Sequence, residues 1–187
     1  MFKDLQQFNS NQVLTADVCI VGSGPAGMSV AKKLLGTKNK VLFLESGGEE
    51  PSVEYNKLNK GKNSGSRFLS LDASRMRCFG GASRIWAGVC SPFDEEDFNS
   101  KSFVALSGWP IARKVLHDYY HEAAEMLGIS YEAFDNSDSF TNSLNGLSFP
   151  EFNRKDSLLT NTIYQHSDST NRNFGKKYKK LFSDSKN

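Results

Sequence analysis

Gly22-Ser23-Gly24-Pro25-Ala26-Gly27 is a GxGxxG sextet. Glycine at its first position permits a tight turn. At the second it lets the backbone approach a pyrophosphate, and at the third it lets a helix pack closely on a strand. Pro25 loses no hydrogen bond in the first turn of a helix. The free N–H groups and positive dipole end at that place suit phosphate oxygens. Glu45 follows about 20 residues later, where a carboxylate accepts hydrogen bonds from a ribose diol and disfavours a 2′-phosphate, against NADP. Such sextets are common, so the weight lies in the context: a strand-like run directly before and a helical pattern directly after.

The elements that position these groups follow from periodicity. Thr15-Ala16-Asp17-Val18-Cys19-Ile20-Val21 is a β-branched run ending in glycine, as a buried parallel strand does, with Cys19 a small core residue. From Ala26 to Leu35, Ala26, Met28, Ala31, Leu34 and Leu35 recur at helical spacing, and Gly36 provides the stop. Lys40-Val41-Leu42-Phe43-Leu44-Glu45 is the second strand. Residues 15–46 are therefore one βαβ unit, expected to be right-handed.

Residues 47–110 form a long irregular stretch rich in Gly, Ser and Asn, with a second glycine cluster at Gly80-Gly81; such stretches are usually functional loops or cofactor covers. A helix is predicted over 112–127, with Leu116, Tyr120, Ala123 and Leu127 as its apolar stripe and Gly128 as its cap. Residues 135–187 are rich in Ser, Asn and Asp, with a short amphipathic helix at about Gly175 to Ser183. No internal repeat is present.

The composition sets limits. The chain has 187 residues, 38% hydrophobic and 12% aromatic, enough for one medium domain with a core. A net charge of +2 gives no footprint for nucleic acid or an anionic membrane. The one basic run, Lys176-Lys177-Tyr178-Lys179-Lys180, reads as a solvated helix face. Cys19, Cys78 and Cys90 form no CxxC pair or metal spacing, and their odd number points to reduced thiols in a cytosolic protein. No run approaches the roughly 20 apolar residues of a membrane span, so a cytoplasmic location is expected.

The glycine turn leaves FAD and NAD open. The segment Arg75-Met76-Arg77-Cys78-Phe79-Gly80-Gly81-Ala82-Ser83-Arg84-Ile85-Trp86-Ala87-Gly88 resembles the second flavin motif of the glucose-methanol-choline (GMC) oxidoreductases, especially the bacterial sugar- and polyol-type members. Further matches keep the same order. They are Glu45-Ser46-Gly47-Gly48, Ser91-Pro92-Phe93-Asp94-Glu95-Glu96-Asp97-Phe98, Gly108-Trp109-Pro110-Ile111, Asp118-Tyr119-Tyr120 and Phe174-Gly175-Lys176-Lys177-Tyr178. The resemblance spans nearly the whole chain and is weakest between about 129 and 172.

The resemblance implies an α/β fold: a Rossmann-like FAD-binding βαβ unit with long cofactor-covering loops, incomplete as a fold by itself. Residues 1–128 would be the FAD-binding region, with the second flavin motif at 75–90, and 129–187 a Ser/Asn-rich segment leading toward a continuation. Gly22, Ser23, Gly24, Pro25, Ala26 and Gly27 would hold the pyrophosphate and Glu45 the adenosine ribose, with Ser46 and Arg77 beside them. Gly80, Gly81 and Ser83 would follow the phosphates and ribityl chain, and Trp86, Ala87 and Gly88 would pass under the isoalloxazine. Close approach to a flat ring accounts for a glycine pair in any case. Some relatives attach flavin through a histidine just before that tryptophan; the residue here is Ile85, so non-covalent FAD is expected. Ala82 and Ala87 stand where serine or glycine is frequent.

In enzymes of this kind a histidine, paired with histidine or asparagine several hundred residues in, takes the hydroxyl proton while hydride moves to flavin N5. No residue of this chain is assigned as catalytic. The chain is expected to be the N-terminal FAD-binding portion of an oxidoreductase acting on CH–OH groups of a sugar, polyol or other alcohol. It would be inactive alone and completed by a C-terminal half. Two alternatives remain: a NAD-dependent dehydrogenase domain, against which the 80–88 glycines stand, and a non-catalytic flavin-binding remnant or partner subunit. His117 and His121 stand i, i+4, a spacing that can hold a metal. They share a polar face with Lys114, Asp118 and Glu125 and have no third ligand, so they read as surface histidines. His166 falls in a Ser/Thr/Asn-rich loop. No G-x-S-x-G elbow supports a serine hydrolase.

Overall fold

The structure, a computed structural model, describes residues 2–66, 69–135 and 162–185. Most of the Ser/Asn-rich segment read from the sequence thus lies outside the described residues. The chain divides into two compact units: Met1–Ala87 with Ser169–Asn187, and Gly88–Asp168. The fold is mixed α/β.

In the first unit, strands β1 (Val18–Val21) and β2 (Val41–Leu44) pair in parallel, with Ile20 opposite Phe43 and Val21 opposite Leu44. Helix α1 (Pro25–Leu34) joins them, with Pro25 in its first turn. It buries Met28 and Ala31, and full burial of a methionine side chain contributes roughly 1.5–3 kcal/mol. The helix leaves through Gly36, whose φ of +74° suits glycine. At the start of both strands Lys40 N donates to Asp17 Oδ2 at 2.7 Å and Asp17 N donates to the Lys40 carbonyl at 2.9 Å.

Among the described residues, the face of this sheet that carries Ile20 and Phe43 is the better covered. Ile20 is buried against α1, and Phe43 meets the ring of Phe182 edge-on at 5.6 Å. Successive strand side chains alternate between faces, so Cys19 and Val21 point the other way. Cys19 is exposed and Val21 is 82% exposed. The expectation of a strand buried on both faces, with Cys19 in the core, is therefore corrected. Hydrophobicity marks a strand that is able to face two layers; whether a second layer is present is a tertiary matter.

Helices α2 (Val53–Asn56) and α3 (Leu71–Ser74) are single turns within the long loop system. The chain returns to this unit through a C-terminal helix, numbered α7 below (Phe174–Asp184). Phe174, Tyr178 and Phe182 recur every four residues and form an edge-to-face ladder, at 5.3 and 6.3 Å. Phe182 also meets Phe79, and Phe79 meets Phe2. The lysines take the remaining faces. Lys179 pairs with Glu49 at 3.0 Å and Lys177 Nζ donates to Asn171 Oδ1 at 2.6 Å, so the basic run is partly tied to its own chain.

The second unit contains β3 (Val89–Cys90), α4 (Glu95–Phe98), α5 (His117–Leu127), α6 (Glu132–Asp135) and β4 (Gln165–His166). Strands β3 and β4 are antiparallel, with Val89 opposite His166. His166 is thus in a strand, where composition alone had suggested a loop. Asp94 and Asp97 form a capping box at the start of α4. The helix predicted over 112–127 begins later: Ala112 is extended, Arg113–Leu116 is a 3-10 turn, and α5 proper starts at His117. Its end agrees, since Gly128 caps it at φ +65°.

The expected stripe is also turned. Ala124 and Met126 are buried, whereas Ala123 is exposed. From Tyr120 the helical period falls between 123 and 124, so packing decides. Tyr131 stacks on Tyr120 at 5.7 Å, which favours burial on the 120–124 side, and Ser167 Oγ donates to the Leu127 carbonyl at 2.6 Å at the helix end. Among the described residues no helix is long and apolar enough to cross a membrane.

Candidate functional site

The glycine turn joins β1 directly to α1. Gly22 has φ +93°, and its N–H donates to the Leu44 carbonyl at 2.7 Å, which ties the turn to β2. A Cβ on Gly27 would come 2.1 Å from the Gly22 carbonyl oxygen and 3.2 Å from Ile20 Cγ2. Close approach of helix to turn therefore requires glycine at 27, and backbone conformation requires it at 22. Gly24 differs. Its φ of −71° and ψ of −179° suit any residue, and a Cβ there would meet nothing within 4 Å. The N-cap residue, Gly24, supplies no side-chain cap to the first turn of α1. The helix thus presents uncapped N–H donors beside a glycine that conformation and space around its own Cβ do not demand.

Glu45 directly follows β2 and turns its carboxylate onto this loop. Its Oε2 accepts from Ser23 N at 2.9 Å and from Ser23 Oγ at 2.6 Å. Its Oε1 accepts from Gly47 N at 3.0 Å and from Ser46 Oγ at 3.3 Å. Ser46 Oγ in turn accepts from the Arg77 guanidinium at 2.8 Å, and Arg77 Nε donates to Asn59 Oδ1 at 2.9 Å. Gly47 leaves room for the Arg77 carbonyl, which a Cβ would meet at 2.1 Å, and Phe79 N donates to the Gly48 carbonyl at 2.9 Å. The two stretches 46–48 and 77–79 run side by side as a result.

That contact delivers the second glycine cluster to the first. Gly80 N donates to the Ser23 carbonyl at 3.1 Å, and a Cβ on Gly81 would come 2.9 Å from Gly24 Cα. Ser83 is buried, donating from Oγ to the Gly80 carbonyl at 2.7 Å and accepting from Phe174 N at 3.2 Å. The start of α7 therefore abuts the cluster: a Cβ on Gly80 would lie 2.6 Å from Gly175 N. Trp86 Nε1 donates to the Arg172 carbonyl at 2.9 Å, and Arg172 returns a bond to the Ala87 carbonyl at 2.8 Å. The structure thus gathers Gly22 to Gly27, Glu45, Ser46, Arg77, Gly80, Gly81, Ser83, Trp86 and Ala87 in one unit. Gly88 falls in the other unit, at φ +82°.

Two features escaped the sequence. The Ser23 hydroxyl on Glu45 has no signal, because serine is unremarkable inside such a sextet. The seating of Gly175 on Gly80 had only the presence of a glycine in a Lys-rich helix as a hint.

Arg84 completes the neighbourhood. Its side chain is 5% exposed and pairs with Glu50, which is 60% exposed. Burial alone would push the Glu50 carboxyl up, but hydrogen bonds and charge from Arg84 and Lys179 outweigh it and hold the group below the usual range. The folded carboxyl is then more acidic than the unfolded one. Its contribution to stability is complete above about 4.5 and is lost as pH falls through the folded value. Acid unfolding followed by circular dichroism is expected to be less steep below about pH 4.5 in Glu50→Gln than in the unaltered chain. Identical profiles would remove Glu50 as a contributor.

The remaining candidates offer less. The His117 and His121 rings lie 4.8 Å apart and touch Tyr131, and with side chains 52% and 41% exposed they are surface histidines. Among the described residues no group of three His, Cys, Asp or Glu side chains is placed to hold a metal. Burial pushes the Cys78 and Cys90 thiols up, which disfavours the reactive thiolate. A cavity of about 900 Å³ lies at the far end of α1 from the glycine turn, lined by Leu35, Lys38, Lys40, Lys180, Leu181 and Asp184. It adjoins the C-terminal ends of α1 and α7, so its lysines answer two negative dipole ends. No protein-family model, curated protein or solved structure matches the chain.

Proposed function

We propose that this chain binds FAD non-covalently, as the N-terminal portion of a GMC-type flavin-dependent oxidoreductase. The observation that carries the reading is Gly24. Conformation explains Gly22 and packing explains Gly27, whereas at the N-cap Gly24 the ordinary φ and open Cβ space leave the backbone accessible to a ligand that comes close to it. The uncapped first turn of α1 adds N–H donors and a positive dipole end for phosphate oxygens. The parallel β1–α1–β2 unit is, in this reading, the first part of a Rossmann-like fold.

The donor set fits the cofactor. Gly22 to Gly27 would hold the pyrophosphate, and Glu45 stands at the end of β2 within reach of the same turn. Gly80 and Gly81 meet Ser23 and Gly24, so a chain of phosphates leaving the turn would run along the second cluster. Ser83 and Arg77 hold that cluster in place through Gly80 and Ser46. Trp86 and Ala87, fixed by Arg172, would lie toward the isoalloxazine. When bound, FAD supplies the hydride acceptor; oxidation of a sugar, polyol or other alcohol belongs to the whole enzyme.

The test is the visible absorption spectrum of the purified chain, before and after acid precipitation. Flavin bands that co-purify and pass into the supernatant are the expected result. A colourless chain that leaves the fluorescence of added FAD unchanged would overturn the reading.

A further inference from the structure

We infer that Ser23 and Glu45 form a latch that the cofactor's adenosine ribose must open, so that the Ser23 hydroxyl limits dinucleotide affinity by competition. The inference rests on the FAD reading above. A carboxylate offers about four lone-pair positions. In Glu45 all are engaged by donors of its own chain: Ser23 N, Ser23 Oγ, Gly47 N and Ser46 Oγ. A ribose diol brings two further donors to the same two oxygens, so two of the four must yield.

The backbone donors are set by the turns that carry them, whereas the two hydroxyls rotate about one bond. Ser46 Oγ is the weaker competitor, at 3.3 Å and also held by Arg77. Ser23 Oγ is the stronger. At 2.6 Å it has the length of a charge-assisted O–H···O⁻ bond, and Ser23 is 1% exposed, so water does not compete for it. A bond present without ribose and surrendered to it subtracts from affinity by linkage. Ser23 is therefore an affinity-setting residue, although no ribose atom need touch it.

The experiment measures FAD and ADP affinity for the full chain and for Ser23→Ala. ADP carries the adenosine ribose and its phosphates without the isoalloxazine. The variant is expected to bind both about tenfold more tightly, the scale of one hydrogen bond to a charged group. The urea midpoint is read alongside: it is expected to fall without ligand but not in saturating FAD, whereas a merely structural serine would lower both. Ser23→Gly, which also deletes the hydroxyl without adding volume, serves if the alanine variant does not fold. If the unaltered chain binds FAD or ADP but both variants bind no more tightly, the latch alone is overturned. If the unaltered chain binds neither, the latch and the FAD reading fall together.

Discussion

Alanine at position 27 is expected to destabilise the first unit strongly, whereas alanine at position 24 is expected to leave the fold and, on the FAD reading, to weaken cofactor binding. The two glycines are three residues apart in one sextet, and their environments are opposite. At Gly27 the added methyl would lie 2.1 Å from the Gly22 carbonyl oxygen, a main-chain atom in a turn held at φ +93°. Neither partner is the flexible end of a side chain, so relief requires α1 to withdraw from β1. Overpacking costs about 1–3 kcal/mol, and a backbone contact this close belongs at or above the top of that range. At Gly24 the methyl meets nothing within 4 Å, and the N-cap preference for glycine over alanine costs only about 1 kcal/mol. The methyl would, however, occupy the approach of a pyrophosphate, with a loss of FAD affinity of at least about tenfold. Denaturant midpoints and FAD titrations of both variants make the comparison. A Gly24→Ala chain that binds FAD as well as the unaltered one would mean that no ligand approaches this backbone.

The second large effect is expected at Gly80. Its φ of +101° is strained for alanine, and the new Cβ would stand 2.6 Å from Gly175 N and 2.7 Å from Gly175 Cα. Strain and overpacking together cost about 2–5 kcal/mol. The damage would spread, because Phe174 N bonds to Ser83 Oγ and Ser83 in turn bonds to the Gly80 carbonyl. Displacing α7 therefore loosens the stretch that meets Ser23 and Gly24. Gly36→Ala is the control: its φ is +74°, but a Cβ there has open space, so it carries the backbone cost alone. Urea unfolding of the two variants should separate them by at least about 1 kcal/mol, the lower end of the overpacking cost. Equal losses would show that α7 is not seated on Gly80.

These expectations draw on information of two ranges. The β1–α1–β2 unit was legible in the residues because its signals are local. A β-branched run marks β1 and an apolar run marks β2, Met28 and Ala31 recur at the helical period, Pro25 opens α1 and Gly36 closes it. The helix α7 was legible in outline for the same reason, as a short amphipathic stretch over about 175–183, and it spans Phe174–Asp184. The roles of Gly22 and Gly27 also followed from spacing, since one sextet contains the turn and the helix start that need them.

What lay beyond the sequence depends on contacts between distant residues. The burial of Ala124 rather than Ala123 goes with the stacking of Tyr131 on Tyr120, a partner that no pattern within 112–127 could encode. The exposure of Cys19 depends on which face of the sheet receives a second layer, and a hydrophobic strand is compatible with either outcome. Glu45 was identifiable as a carboxylate at the end of a strand, but its engagement by Ser23, 22 residues earlier, was not. Gly80 marked itself as special by type, while its reason, the approach of Gly175, is supplied by a helix far along the chain. Residue type and spacing determined which local conformations were available. Tertiary packing decided which of them face solvent, because burial is a property of what comes to lie opposite.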